Sequence, residues 1–351
     1  MTEPFHHAAP FHDDLTNPGA AGLPERFFDR FMFNMHPGDG TAPCVIVGFG
    51  IYPGRDVADG YAVVMTGTEQ RNARFSTELS STDGHGAGPL SFEVPEPNKL
   101  WRLRLGPNPT GIELDVAWRA RTPYWVGEVT IGNADEEPTK FEHLVQSGRY
   151  TGTLAIDGAE RSVAGWYGQR DRSRGVRTMS GGQGLHIWFQ AQFPDRSVGF
   201  LLVENRVGSR RLLEGAVMHE DGRLDDIVDV CHDLTFDDGL DLRSGAVQVT
   251  TTSGAVYAIN VDASGRGIYM AGAGYGGWHG KPRGRDHLEH DVYPLDGSVS
   301  PMTVDTALTD RLSTFTCDGW IGLGIFEFAH SRSSSYRYVR TLESPRASHS
   351  T

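Results

Sequence analysis

Short runs of alternating apolar and polar residues, cut at brief intervals by glycine, fill most of the chain, and few folds can accept them. The runs stand at Cys44–Ile51, Gly60–Thr66, Arg74–Leu79, Leu100–Leu105, Ile112–Ala120, Tyr150–Ile156, Leu185–Phe193, Gly199–Val203, Ala246–Thr251 and Ala255–Val261. A period of two sends successive side chains to opposite faces of a strand, and glycine, at 44 of 351 positions, supplies turns. Asp157-Gly158, set between Leu154–Ile156 and Arg161–Val163, reads as a two-residue hairpin turn. Many short strands with turn signals between them predict an all-β chain of closed or sandwiched antiparallel sheets. One short helix is expected: Pro24 in its first turn, Phe27, Phe28, Phe31 and Met32 on one side, and Pro37-Gly38 as its stop.

A chain of 351 residues exceeds the size at which one core keeps growing. Two domains are expected, 22–180 and 181–340, divided near the glycine cluster Ser180–Gly184, with poorly ordered tails at 1–21 and 341–351. Asp and Glu number 45 against 32 Lys and Arg, a net charge of -13 that repels phosphate backbones, so nucleic acid is not an expected partner. No stretch approaches the ~18 apolar residues of a membrane span, and the start Met-Thr-Glu-Pro-Phe-His-His is no export leader; a soluble, cytoplasmic protein is expected. Cys44, Cys231 and Cys317, odd in number and far apart, read as buried thiols rather than a disulfide framework.

The segment with the densest chemistry is Gly165-Trp-Tyr-Gly-Gln-Arg-Asp-Arg-Ser-Arg-Gly-Val-Arg177. On a strand, Tyr167, Gln169, Asp171 and Ser173 share one face, and Trp166, Gly168, Arg170, Arg172 and Arg174 the other. If the Asp171 face is enclosed, desolvation raises its carboxyl pKa while nearby arginines lower it, and the sequence leaves that sign open. Two readings follow: a catalytic acid/base strand, or a buried ion-pair clamp joining the two domains. The next run, Leu185–Phe193, separates as cleanly, with Leu185, Ile187, Phe189, Ala191 and Phe193 toward a core and His186, Trp188, Gln190 and Gln192 toward either solvent or a ligand cavity.

These segments resemble the carotenoid 1,2-hydratase and AttH-like family of paired lipocalin-type domains, which also holds lipocalin-like Diels–Alderases. The matching residues are Gln146, Gly168, Arg170, Asp171, Ser173, Gly175, Arg177 and, on the following strand, Trp188; Arg174 and Arg172 stand where the family pattern has Trp and His. Looser likeness extends to Pro95–Leu105 and Gly322–Glu327. The resemblance implies two lipocalin-like β-barrel or sandwich domains with few short helices. It also implies a cofactor-independent hydratase, isomerase or cyclase acting on a hydrophobic terpenoid, steroid or polyketide-like molecule held between or within the barrels. Under it, Asp171, His186 and Tyr167 are the expected catalytic residues, Trp188, Gln190, Gln146 and Trp166 the substrate-binding ones, and Arg170, Arg172, Arg177 and Glu327 their support. Glu327, in an apolar stretch, reads as a buried partner for an arginine or as a second carboxyl at the site. A Trp face can stabilise a carbocation while Asp or His moves a proton. The rival expectation is a non-catalytic carrier of lipophilic ligands. A carbohydrate-active site would need two carboxyls across a cleft, such as Asp171 with Glu327.

Other motifs lack their context. Gly272-Ala-Gly-Tyr-Gly-Gly277 has dinucleotide-loop spacing but is followed by Trp278-His-Gly-Lys-Pro instead of a helix. His279, Asp286, His287, Glu289, His290 and Asp291 match no tight zinc spacing, so no metal is expected. Cys231, His232 and Asp233 are consecutive and would alternate in direction on a strand.

Overall fold

The computed structural model describes residues 13, 16, 19, 22–132, 139–177, 183–265 and 267–343. Most of the two expected tails and most of the glycine cluster at 180–184 lie outside them.

Every one of the ten alternating runs lies in or overlaps a strand. The first sheet contains β1 (Phe27–Met35), β2 (Cys44–Tyr52), β3 (Val57–Met65), β4 (Glu69–Glu78), β5 (Gly86–Ala87), β6 (Leu90–Glu96), β7 (Leu100–Leu105), β8 (Ile112–Ala120), β9 (Trp125–Ile131), β10 (Thr139–Ile156), β11 (Ala159–Ser162) and β12 (Tyr167–Val176). The second contains β13 (Gln183–Gln192), β14 (Arg196–Asn205), β15 (Arg210–His219), β16 (Leu224–Phe236), β17 (Leu242–Thr251), β18 (Val256–Asp262) and β19 (Gly267–Tyr269). The chain then returns to the first sheet with β20 (His287–Pro294) and finishes the second with β21 (Thr309–Cys317) and β22 (Trp320–His330). Asp157 and Gly158 turn β10 into β11 with positive φ at both positions, the geometry a two-residue hairpin requires.

The expected helix at Phe27–Met32 is strand β1, paired on both sides with β2 and β12. Its spacing misled because both faces of β1 are covered: Phe31, Phe33 and Met35 enter one core, Phe28 and Met32 another. A strand buried on both faces carries no clean alternation, and aromatic residues two and four apart can then imitate a helical stripe. Helix is confined, among the described residues, to single turns such as Pro53–Arg55 and Leu79–Ser81.

The first sheet runs β20-β4-β3-β2-β1-β12-β10-β8-β7-β6-β5 and curls into a half-barrel, with β9 and β11 also paired to β10. Its concave side is filled by Phe31, Phe33, Phe49, Phe92, Trp101, Trp118 and Tyr150. The second sheet closes on itself through β18 and β21 into an eight-stranded barrel. Phe189, Phe200, Phe315 and Phe326 meet inside it, with Phe189 stacked on Phe200 at 4.8 Å. The barrel interior is thus a packed apolar core. A third cluster spans the two sheets, joining Phe28, Met32, Ile46, Tyr61, Val63 and Phe141 of the first to Trp188, Leu201, Met218, Leu312 and Ile325 on the outside of the barrel.

Candidate active site

The two faces of β12 do different work. On the concave side of the half-barrel, Arg170 is fully buried; it donates to Asp13 Oδ1 at 2.5 Å and to Gln146 Oε1 at 3.0 Å, and lies over the Trp101 and Trp118 rings. Arg172 grips Asp29 with two nitrogens at 2.8 and 2.7 Å. Burial raises the Asp29 pKa, but the Arg172 charge and hydrogen bonds outweigh it and hold the group below the usual carboxylate range. Arg174 pairs with Glu142 at 3.2 Å. These acidic partners all belong to the first half of the chain, so the arginine pairs brace the first sheet, and of Arg-Asp-Arg it is Asp171 that reaches toward the other half.

Asp171 points the other way, into the seam between the sheets. It accepts from His143 Nε2 at 3.3 Å, while His143 Nδ1, on the far side of the ring, contacts Glu214 Oε1 of the barrel at 2.5 Å. Burial alone would lower the His143 pKa; the Glu214 charge and the bonds from both carboxylates raise it to about 10. His143 is therefore an imidazolium that ties the halves together, helped by Asn34 donating to Gln190 at 2.5 Å and Ser197 to Ser147 at 2.5 Å.

Antiparallel register then sets a row of side chains across the outside of the barrel. Glu214 stands opposite Leu201, Leu201 opposite Trp188, Trp188 opposite Glu327, and Glu327 opposite Asp310. Asp310 is wholly buried, and no N–H or hydroxyl among the described residues reaches either of its oxygens; the carboxyl it meets is Glu327. Two carboxyls can bond only when one keeps its proton. Burial, the Glu327 charge and bond, and the more distant Asp171 charge all push the Asp310 pKa well above the carboxylate range, so Asp310 holds that proton. On its other side Glu327 accepts from His186 Nε2 at 2.9 Å. Glu327 thus takes a histidine and a second carboxyl as partners where an arginine was the alternative expectation.

The first sheet answers with aromatic and cationic groups. The Tyr61 ring lies so close over Gly48 that a Cβ there would sit 2.3 Å from it, which is why β2 carries no side chain at that position. The Tyr61 ring is edge-on to Tyr275 at 6.1 Å, and the Arg30 guanidinium covers Tyr275 at 4.9 Å. His279, in the segment between β19 and β20, turns its Nδ1 to Asp59 Oδ1 at 3.3 Å, while Gly280 N donates to Asp59 Oδ2 at 2.7 Å. Burial and the Arg30 charge hold the His279 pKa below its usual value, leaving a neutral ring. Its Nε2 has no partner among the described residues, nor do the Tyr52 hydroxyl, the Trp188 indole N–H, Gln190 Nε2, Glu214 Oε2 or either end of the Gln169 amide. Each such atom costs ~1–3 kcal/mol if left unpaired, and they gather along the one seam between the sheets.

Among the expected site residues, the seam brings together Asp171, His186, Trp188, Gln190, Glu327 and Arg177, whose guanidinium lies 4.6 Å over the Phe141 ring. It does not include the others. Gln146 is on the arginine side, its amide engaged by Asn98 O, Thr122 O and Arg170. Trp166 packs against the concave core. Tyr167 shares the face of Asp171 but lies roughly 13 Å from it along the strand at ~3.3 Å per residue, beneath the guanidinium groups of Arg121 and Arg149. The charged residues after His279 find protein partners: Asp291 binds Asn72 and Arg74, and His287 turns to Glu289. Asp310, His143, Glu214 and the Asp59–His279 pair were missed. Their signal was a lone ionisable residue on an otherwise apolar alternating face: Glu214 among Leu212, Ala216 and Met218, and His143 between Phe141 and Val145.

A family model described as Domain of unknown function (DUF7064) matches residues 44–279. The chain belongs to the DUF7064 family. The matched DUF7064 region carries Asp59, His143, Asp171, Trp188, Glu214 and His279, and ends before Asp310 and Glu327. No curated protein matches the sequence. Among solved structures, this DUF7064 chain is similar to an AttH-assigned protein of Nitrosomonas europaea (NE1406), with TM-score 0.60 and 10% identity over 87% of this chain and 92% of that one. Kievitone hydratase from Nectria haematococca gives TM-score 0.53 at 11% identity, over 88% of this chain and 91% of that one. CghA gives 0.52 at 11%, over 90% of this chain and 95% of that one. The likeness covers both halves, so the paired lipocalin-like architecture expected from the strand 165–177 is the architecture of this DUF7064 protein.

Proposed function

We propose that the chain is an acid–base enzyme of the hydratase, isomerase or cyclase kind, working on a largely apolar terpenoid, steroid or polyketide-like molecule in the seam between half-barrel and barrel. The proton donor in this reading is Asp310, and the observation that carries it is that a wholly buried carboxyl stands beside a second carboxyl, with no hydrogen-bond donor on its oxygens among the described residues. A proton kept at neutral pH in an apolar seam can be delivered to an alkene or enol carbon, with the electron pair of the double bond forming the new C–H bond. The Trp188 ring, in the same cross-strand row, can face the positive charge that develops.

The neutral His279 ring, oriented through Nδ1 by Asp59, offers Nε2 as the complementary base. It would take a proton from water in a hydration, or from a neighbouring C–H bond in an isomerisation or cyclisation. Asp171 and Glu214 flank the His143 imidazolium and set the field of the seam, so the acid role expected at Asp171 passes to Asp310. The shared fold with a protein named as a hydratase supports the class of reaction.

Incubation of the purified chain with a panel of polyprenoid, steroid and polyketide compounds in ¹⁸O-labelled water or in D₂O, read by mass spectrometry, tests the proposal. Hydration adds labelled oxygen to a product; isomerisation or cyclisation places deuterium on carbon without a net change of composition. Both should vanish in Asp310→Asn. A compound that binds and is recovered unlabelled by the native chain would mean a carrier instead.

A further inference from the structure

An acid buried in a seam must recover its proton after each turnover, and Asp310, with no exposed surface, has no direct route to water. Its contact is Glu327, whose side chain is 9% exposed, and Glu327 in turn contacts His186, whose side chain is 22% exposed. Exposure thus rises step by step away from the buried acid. The order is fixed by the backbone: Asp310 and Glu327 are paired across β21 and β22, and β13 brings His186 beside β22. The His143–Glu214 contact in the same seam has no such gradient, both side chains being closed off at 5% and 6%.

We infer that Glu327 and His186 form a proton relay that reloads Asp310 from solvent, an inference that rests on Asp310 being the acid. When Asp310 has given its proton away, the Glu327 carboxylate takes one from His186 Nε2–H and passes it on to the Asp310 carboxylate. The imidazole regains its proton from water, because one ring nitrogen can accept while the other donates. One proton moves inward per cycle and no electrons are transferred. His186 is a positioning and relay residue here; it does not touch the substrate.

Infrared spectroscopy of the full chain reads this without any substrate. At neutral pH the native protein should show a carboxylic-acid carbonyl band that Asp310→Asn removes, and transfer to D₂O should shift that band as its proton exchanges. In His186→Phe the band should remain and its exchange should slow ~100-fold, the low end of what one positioned proton-transfer group contributes. Added imidazole should restore the rate. His186→Asn, which keeps a polar group but cannot titrate, gives the same reading if the phenylalanine variant fails to fold by circular dichroism. Exchange as fast in the folded His186 variants as in the native chain would overturn the relay while leaving the acid in place. A native spectrum without the Asp310 band would overturn the acid itself.

Discussion

The inside of the barrel and the seam outside it are lined from the same strands, with opposite results. Along β13, Leu185, Ile187, Phe189, Ala191 and Phe193 pack into a closed apolar core, while Trp188 and Gln190 between them meet the first sheet, with the Trp188 indole N–H and Gln190 Nε2 unpartnered among the described residues. The interior is uniformly apolar and the seam mixes apolar with ionisable groups, and a period of two keeps them apart to within one residue. The barrel lumen is full, and its outer face is covered by the first sheet.

The sharpest break in that comparison comes from neighbouring substitutions. Phe189→Ala should cost ~3–5 kcal/mol in urea denaturation, as expected for emptying an aromatic site in a tight core, whereas Trp188→Phe, one residue along, should stay within ~1.5 kcal/mol. Equal losses would mean that the seam is packed like the interior.

His143→Gln should cost about 3 kcal/mol near neutral pH, because Asp171 and Glu214 lose the cation between them. The pH dependence has a definite sign. The folded pKa of about 10 exceeds the ordinary value of 6.5, so this stabilisation is complete below pH 6.5 and is lost as pH rises through 10. Denaturation midpoints measured between those limits should fall steadily in the native chain and much less in the variant.

Asp310→Asn should go in the other direction and raise stability at pH 7 by ~1–2 kcal/mol, a gain typical of replacing a strained functional group. A carboxyl whose folded pKa is raised lends its full contribution only below the ordinary 3.8 and weakens the fold as pH climbs toward the higher value. The amide does not titrate and can still donate to Glu327. A lower melting temperature for this variant at pH 7 would contradict a protonated Asp310. The smallest effect belongs to the exposed pair Arg102–Asp115, with side chains 43% and 46% accessible, where Arg102→Ala should leave the denaturation midpoint almost unmoved.

The sequence made the strands legible wherever one face met a core and the other did not, as in Ile112–Ala120 and Leu100–Leu105, whose bounds match their runs. It failed at β1 because that strand separates two cores. Half of the site could be read from the alternation of Gly165–Arg177 and Leu185–Phe193, which set Asp171 apart from the arginines and Trp188 apart from Phe189. The remainder could not. Asp310 gains its character from Glu327 across a strand pair, and His279 from Asp59, 220 positions earlier in the chain. Local pattern reports which face a residue occupies, but the partner that decides its protonation arrives by topology.

The edge strand β20 carries the same lesson into biosynthesis. It completes the first sheet beside β4, where Asn72 donates to Asp291 at 2.6 Å, 219 positions later in the chain. On the ribosome, the β4 edge must wait for most of the polypeptide to be made before its neighbour exists, and in that interval it offers unpaired backbone to any passing strand. The halves look like modules that could be exchanged, yet the loan of one strand makes them a single product of translation, finished only when its last third emerges.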